Sequence, residues 1–227
     1  APSSTDCINY LEIRRRTLDV NAELTRTRTR EDSLLADKIS RLHIYFSLLR
    51  RGLTEDEKSR LDVELMRLYE RFGITRDNDS LYDEYGNLKP QPTPADFYEL
   101  LNEREETKSL AGILSRFVNG SAANLGGETN VDMNNKYIVL DISEIGKELL
   151  PFGTLLAADI CLDYCRISRA ENKVVILDEV WSLIGAGSNA QAAEFVLELF
   201  KTVRGYGASA IAASQDLEDF FALENGK

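Results

Sequence analysis

The sequence predicts an α/β protein, a parallel sheet with flanking helices that also carries a separate all-helical module. Three observations lead there. Residues 137–213 alternate apolar, β-branched runs with helical periodicity in the order strand, helix, strand, helix, strand, which right-handed crossovers turn into a parallel sheet. Residues 31–120 instead repeat apolar side chains at spacings of three and four. Finally, the run Val174, Val175, Ile176, Leu177 stops abruptly at two adjacent carboxylates, Asp178 and Glu179.

Bulk properties narrow the function classes. The chain has 227 residues, 43% of them hydrophobic, enough for one large domain or two small ones with a real core. Its 38 acidic and 27 basic residues give a formal net charge of -11. That argues against a broadly basic, nucleic-acid-binding surface. A local basic groove is still allowed, because Arg14–Arg16, Arg26, Arg28 and Arg30 cluster early. Cys7, Cys161 and Cys165 form no CxxC pair and suit a reducing compartment as core thiols. The single histidine, His43, falls in an apolar helical stretch and reads as structural, so a histidine base is not expected. No leader and no membrane span is expected, since the apolar stretch 149–162 is short and contains Asp159.

Taken in order, residues 7–13 read as a short strand and 14–30 as a basic linker or weak helix. Leu34, Leu35, Ile39, Leu42, Tyr45, Phe46 and Leu49 then mark a helix that Gly52 would close. Thr54 and Glu57 form a capping box for a second helix carrying Leu61, Leu65, Leu68 and Tyr69, which Gly73 stops. A short connection between the two predicts antiparallel packing. Residues 74–94 are a polar loop. Thr93 followed by Pro94 starts a helix to Asn102, and a fourth helix spans 105–118 before Gly120. Beyond Gly127, residues 137–142 read as a buried strand, 151–168 as a helix opened by Pro151, and 173–177 as a strand buried on both faces. A helix over 189–204 buries Ala192, Phe195, Val196, Leu199 and Val203. Gly205 and Gly207 turn the chain into a strand over 208–213, and a last short helix covers 217–223.

The chemistry concentrates where strands end, because ligands of open α/β sheets bind at the carboxyl edges. An apolar strand closed by Asp178-Glu179 has the form of a Walker B segment. There the first acid holds Mg²⁺ and the second polarises the attacking water. The alternative is a buried strand followed by an acidic loop. Ser214-Gln215 closes the next strand, so Gln215 reads either as a sensor of a terminal phosphate or as a residue near a helix start. Arg204 reads either as an arginine finger toward a neighbouring subunit or as a helix-terminal arginine satisfying the dipole. No G-x-x-x-x-G-K-[ST] motif is present, so no phosphate cradle is expected within these residues.

Together these segments resemble the motor of the conjugative type IV secretion ATPases, the VirB-four/TraC-like family. The words that carry the resemblance are 127–132, 137–142, 174–179, 204–207 and 214–215. In the helical part they are 52–55, 68–69, 93–94 and 118–121. The resemblance implies a partial RecA-like P-loop NTPase core carrying an inserted all-α domain. Residues 1–30 would end an earlier core segment and lead into a linker, 31–126 would be the insertion, and 127–227 the core with Walker B. It implies ATP and Mg²⁺ as cofactors. Asp178 would be the metal ligand, Glu179 the water-activating base, Ser214 and Gln215 would lie at the γ-phosphate, and Arg204 would act across a subunit interface. It further implies a cytoplasmic hexamer at the inner face of the membrane, with other channel subunits and the coupling protein as partners. The fragment by itself would be inactive, since the phosphate cradle would lie in an earlier part of a longer protein. Two positions depart from the family: Gly205 replaces a frequent basic residue, and Ser214 a common threonine. Two competing readings are a docking module for secretion-channel proteins and a RecA-like DNA translocase.

Overall fold

The computed structural model describes residues 6–15, 33–50, 53–133, 135–142, 145–146, 148–167, 171–178 and 190–213. Contacts divide the chain into two compact units. One comprises Pro2–Phe46 and Arg50–Lys136; the other comprises Tyr137–Lys227 with Ala1 and Ser47–Leu49.

The described part of the first unit is mainly helical, and local sequence explains several helix boundaries. Helix α1 (Leu34–Leu49) starts at Ser33, whose side chain accepts the Ala36 N–H. Helix α2 (Glu55–Arg71) has the expected capping box. Thr54 Oγ1 accepts the Glu57 N–H at 3.2 Å, and the Glu57 carboxylate accepts the Thr54 N–H at 3.0 Å. Gly73, at φ 67, turns the chain out of α2 in the left-handed region that glycine tolerates. The ion pairs Arg50–Glu57 (2.8 Å) and His43–Asp62 (3.2 Å) run in opposite directions along α1 and α2, as antiparallel helices require. His43 therefore sits at a half-buried polar contact, not in the apolar core. Gly52 lies outside the described residues.

Helix α3 (Pro94–Asn102) begins with a second box, Thr93 and Asp96 exchanging bonds of 3.2 and 2.7 Å, with proline in the first turn. The helix expected over 105–118 is two pieces, a 3-10 turn at Glu105–Thr107 and helix α4 (Lys108–Val118). The Thr107 hydroxyl donates to the Leu101 carbonyl at 2.6 Å, which ties the bend between α3 and α4. Tyr10 lies 5.7 Å from Tyr45 and 6.1 Å from Phe117 between ring centroids, and Phe46 lies 5.9 Å from Phe97. These rings, with Leu42, Leu65, Leu100 and Leu114, form the buried centre of the unit.

Residues 7–13 do not form the expected strand. A turn at Tyr10–Leu11, in which Asn9 Oδ1 accepts the Leu11 N–H at 2.9 Å, interrupts the extended run. Most partners of its backbone are side chains, and among the described residues no strand pairs with it. The Cys7 N–H donates to Asn130 Oδ1 (2.7 Å) and the Asn9 N–H to Thr129 Oγ1 (3.0 Å). Asn9 Nδ2 donates to the Pro92 carbonyl (2.8 Å), and the Tyr69 hydroxyl donates to the Leu11 carbonyl. The Asn130 N–H returns a bond to the Cys7 carbonyl at 3.1 Å, so residues 7–9 and 129–130 lie side by side.

The second unit is α/β. Helix α5 (Leu150–Ile167) leads to strand β1 (Lys173–Leu177). Helix α6 (Ala190–Thr202) and a 3-10 turn (Val203–Tyr206) follow, and lead to strand β2 (Ala208–Ala212). The strands pair in parallel, Lys173 opposite Ala208 and Leu177 opposite Ala212, as the crossover order predicts. Phe195, Val196 and Leu199 of α6 are buried, as its periodicity requires, and so is Val203 in the turn that follows. Cys7 and Cys165 are buried and Cys161 half-buried; burial pushes the Cys161 thiol up to about 11, so none of the three is poised as a nucleophile.

Two further expectations about strands are corrected. Residues 137–142 form no strand, and Tyr137 (84%) and Val139 (68%) are exposed. A strand exists only where a neighbour accepts its backbone groups, and among the described residues none does. Strand β1 is buried on one face only: Val175 and Leu177 are covered, while Val174 (63%) and Ile176 (66%) face outward beside Ile211 (50%) of β2. The helix expected over 217–223 lies outside the described residues.

Two outcomes follow from this packing. Leu177→Ala should cost about 2–5 kcal/mol, while Ile176→Ala should cost about 1 kcal/mol or less; urea unfolding of both variants measures the difference, and equal losses would contradict one-sided burial. The second concerns acid. The Thr54 N–H, then the charge of Arg50, hold the Glu57 carboxyl below its ordinary 4.5. A carboxyl depressed in this way stabilises the fold above its unfolded value and loses that contribution as pH falls through the lower folded value. The stability gap between wild type and Glu57→Gln should therefore shrink from about pH 6 to about pH 3, and a gap independent of pH would contradict the assignment.

Candidate functional site

The site is built on the carboxyl ends of the two strands. The ladder continues past its last registered pair: the Ala213 N–H donates to the Leu177 carbonyl at 2.9 Å. Asp178 and Ala213 thus leave the sheet at the same edge and level. Asp178 is exposed there, directly after the buried Leu177. Its backbone is fixed by the strand behind it, and its carboxylate stands at the sheet edge where α/β proteins bind ligands. A hard oxygen donor with room for water around it is the kind of ligand Mg²⁺ takes, since this ion keeps several waters and accepts one or two carboxylates. Among the described residues no group of three or more His, Cys, Asp or Glu side chains could hold a metal. Glu179, Ser214 and Gln215 lie outside the described residues. They follow Asp178 and Ala213 directly in the chain.

Arg204 stands elsewhere. It belongs to the 3-10 turn Val203–Tyr206 and not to the end of an α-helix, and its side chain is exposed. This turn feeds the first residue of β2, so Arg204 is at the amino edge of the sheet and Asp178 at the carboxyl edge. Five strand residues at about 3.3 Å each put roughly 13–16 Å of sheet between the two levels. The structure therefore brings Asp178 together with the end of β2 and sets Arg204 apart. A Cβ at Gly205 would meet nothing within 4 Å, so the backbone there has room for a side chain. Gly207 is different: at φ 71 it closes the turn in a conformation that favours glycine.

Arg166 and Tyr206 are given no role by the sequence. In the fold the Arg166 guanidinium lies 5.8 Å from the centroid of the Tyr206 ring, close to the start of β2. The two are far apart in sequence, and a guanidinium over a ring leaves no periodic trace. Only the crossover topology could have hinted that the end of α5 and the turn before β2 share one edge.

A parallel sheet with helices and an acid at its carboxyl edge is the arrangement of P-loop NTPase-like α/β proteins. Residues 102–224 match the family model of the TraG P-loop domain, and the chain belongs to that family, within the VirB4/TraC-like ATPases of conjugative type IV secretion. Among solved structures, VirB4 of Thermoanaerobacter pseudethanolicus is similar over 96% of this chain, with a TM-score of 0.76 and 29% sequence identity. The chain spans 56% of that protein's chain. No curated protein matches the sequence. Among the described residues, no helix is long and apolar enough to cross a membrane.

Proposed function

We propose that this chain is the motor part of a Mg²⁺-dependent ATPase that energises substrate transport or channel assembly in a conjugative type IV secretion system. The observation that carries this reading is the exposed Asp178 at the carboxyl edge of a parallel strand pair held in register to its last bond. Asp178 would hold Mg²⁺ through water. Glu179 would orient and polarise the attacking water, and Gln215 would meet the γ-phosphate with the Ser214 hydroxyl beside it. When bound, MgATP supplies the phosphoryl group and the charge-neutralising ion; the protein's task is to place these side chains around it. Residues 31–126 would be an all-α insertion between an earlier core segment and the core of 127–227. The side-by-side run of residues 7–9 and 129–130 supports this, because it joins the two ends of such a module.

Arg204 fits the same reading only across copies. An arginine some 13–16 Å of strand away from the acid edge does not serve the nucleotide that Asp178 serves. It would serve a neighbouring subunit's nucleotide, neutralising charge in the transition state. Hence we propose a ring, taken as a hexamer, docked through channel subunits and the coupling protein at the cytoplasmic face of the membrane.

The competing docking reading is less well supported. It needs a broad apolar patch on the helical module, whereas the large apolar side chains exposed there among the described residues, Val63 and Tyr85, are isolated. The helices also carry exposed ion pairs such as Arg60–Asp56 and Arg71–Glu103. The net charge of -11 gives a DNA translocase reading no support.

In the full-length protein, Glu179→Gln should abolish turnover while ATP binding is retained. Unchanged turnover would show that the carboxylates after β1 are not catalytic. The 227-residue chain by itself should hydrolyse no ATP; hydrolysis that Glu179→Gln removes would show that it carries a complete site.

A further inference from the structure

We infer that Arg166 and Tyr206 form a clamp that positions the turn bearing Arg204, so that its guanidinium is presented outward in one orientation. This rests on the reading of Arg204 as an arginine acting on a neighbouring copy's nucleotide.

The turn Val203–Tyr206 carries glycine at position 205 and is followed by Gly207. Two glycines around one residue leave a backbone with more freedom than any other pair would give. Order must then come from the side chains of the turn itself. In a 3-10 turn, side chains at i and i+3 eclipse, so Val203 and Tyr206 share one face and Arg204 falls on another. Val203 is buried, and Tyr206 is half-buried beneath the Arg166 guanidinium at 5.8 Å, within the range of a cation–π contact. Arg204 is exposed. The Gly207 N–H closes the turn onto the Arg204 and Val203 carbonyls, the former at 3.2 Å. The inner face of the turn is thus fixed at two points, by a buried valine and by a ring held under a cation from the last turn of α5. Arg166 and Tyr206 do not touch the reacting groups; they act through Arg204.

The clamp has a readout that needs no nucleotide. In the nucleotide-free, full-length protein, Tyr206→Ala and Arg166→Gln should each speed hydrogen exchange of the Gly207 amide by about tenfold. Tyr206→Phe, which keeps the ring face that meets the cation, should exchange more slowly than Tyr206→Ala. The glutamine at 166 keeps part of the stem packing and serves if Tyr206→Ala does not fold. Gly207 exchange unchanged in both Tyr206→Ala and Arg166→Gln would overturn the clamp.

Turnover separates this inference from the one beneath it. Arg204→Ala should lower kcat by about a thousandfold. Tyr206→Ala should lower kcat by about tenfold, with the KM for ATP unchanged. Wild-type turnover in Arg204→Ala would overturn the arginine reading itself. A slow Arg204→Ala beside a wild-type Tyr206→Ala would overturn the clamp alone.

Discussion

The parallel register of β1 and β2 is the constraint on which the α/β unit depends. Parallel strands cannot be joined by a hairpin; the chain must climb back over the sheet, and α6 makes that return. Phe195, Val196 and Leu199 of α6 are buried, and so are Val175, Leu177 and Ala208 on one face of the ladder, while Val174, Ile176 and Ile211 on its other face are exposed. A slip of one residue would turn Val174 and Ile176 inward and Val175 and Leu177 outward. It would also move Asp178 off the level of Ala213. The ladder therefore sets the core and the position of the acid in one arrangement.

Much of this was legible because it is local. Thr54 with Glu57, Thr93 with Asp96 and Gly73 are signals read within four residues, and each does in the structure what its spacing predicts. The order of strands and helices also survives, since crossover handedness leaves little freedom. The readings that failed concern neighbours. An apolar, β-branched run such as 137–142 shows that a segment is suited to a sheet. It does not show which strand will pair with it. The same limit applies to β1, whose four apolar residues suggested two covered faces while Val174 and Ile176 are open. The hydrogen bonds that hold residues 7–13 come from Asn130, Thr129, Pro92 and Tyr69, all distant in sequence and mostly polar, so periodicity had nothing to detect.

At the candidate site the division is similar. Asp178 was visible as the residue that ends an apolar strand, and the structure places it at the carboxyl edge. Arg204 was visible as an arginine before two glycines, but its place at the opposite edge is a property of topology. Sequence offered two roles for it, finger or helix-terminal charge. The second weakens once the residue is seen in a 3-10 turn after α6 rather than in the helix itself, because the dipole effect fades beyond the last turn.

The separation of these two charges bears on why such a motor would work as an assembly. Within one chain the carboxylate and the guanidinium stand at opposite edges of the sheet, too far apart to share one phosphate group. Each would complete a site only with the other edge of a second copy. A nucleotide held between copies would feel the Asp178 edge of one and the Arg204 edge of the next, so its hydrolysis would report their relative orientation. An exposed arginine on a loose turn would make that report imprecise, since a displacement of about 1 Å can cost two orders of magnitude in rate. A turn with glycine at 205 and 207, where a side chain at 205 would meet no obstacle, gains its rigidity from Val203 beneath it and from the Tyr206 ring under Arg166. Coupling between copies would then run through the packing of α5 against that turn, at the edge of the sheet farthest from the acid.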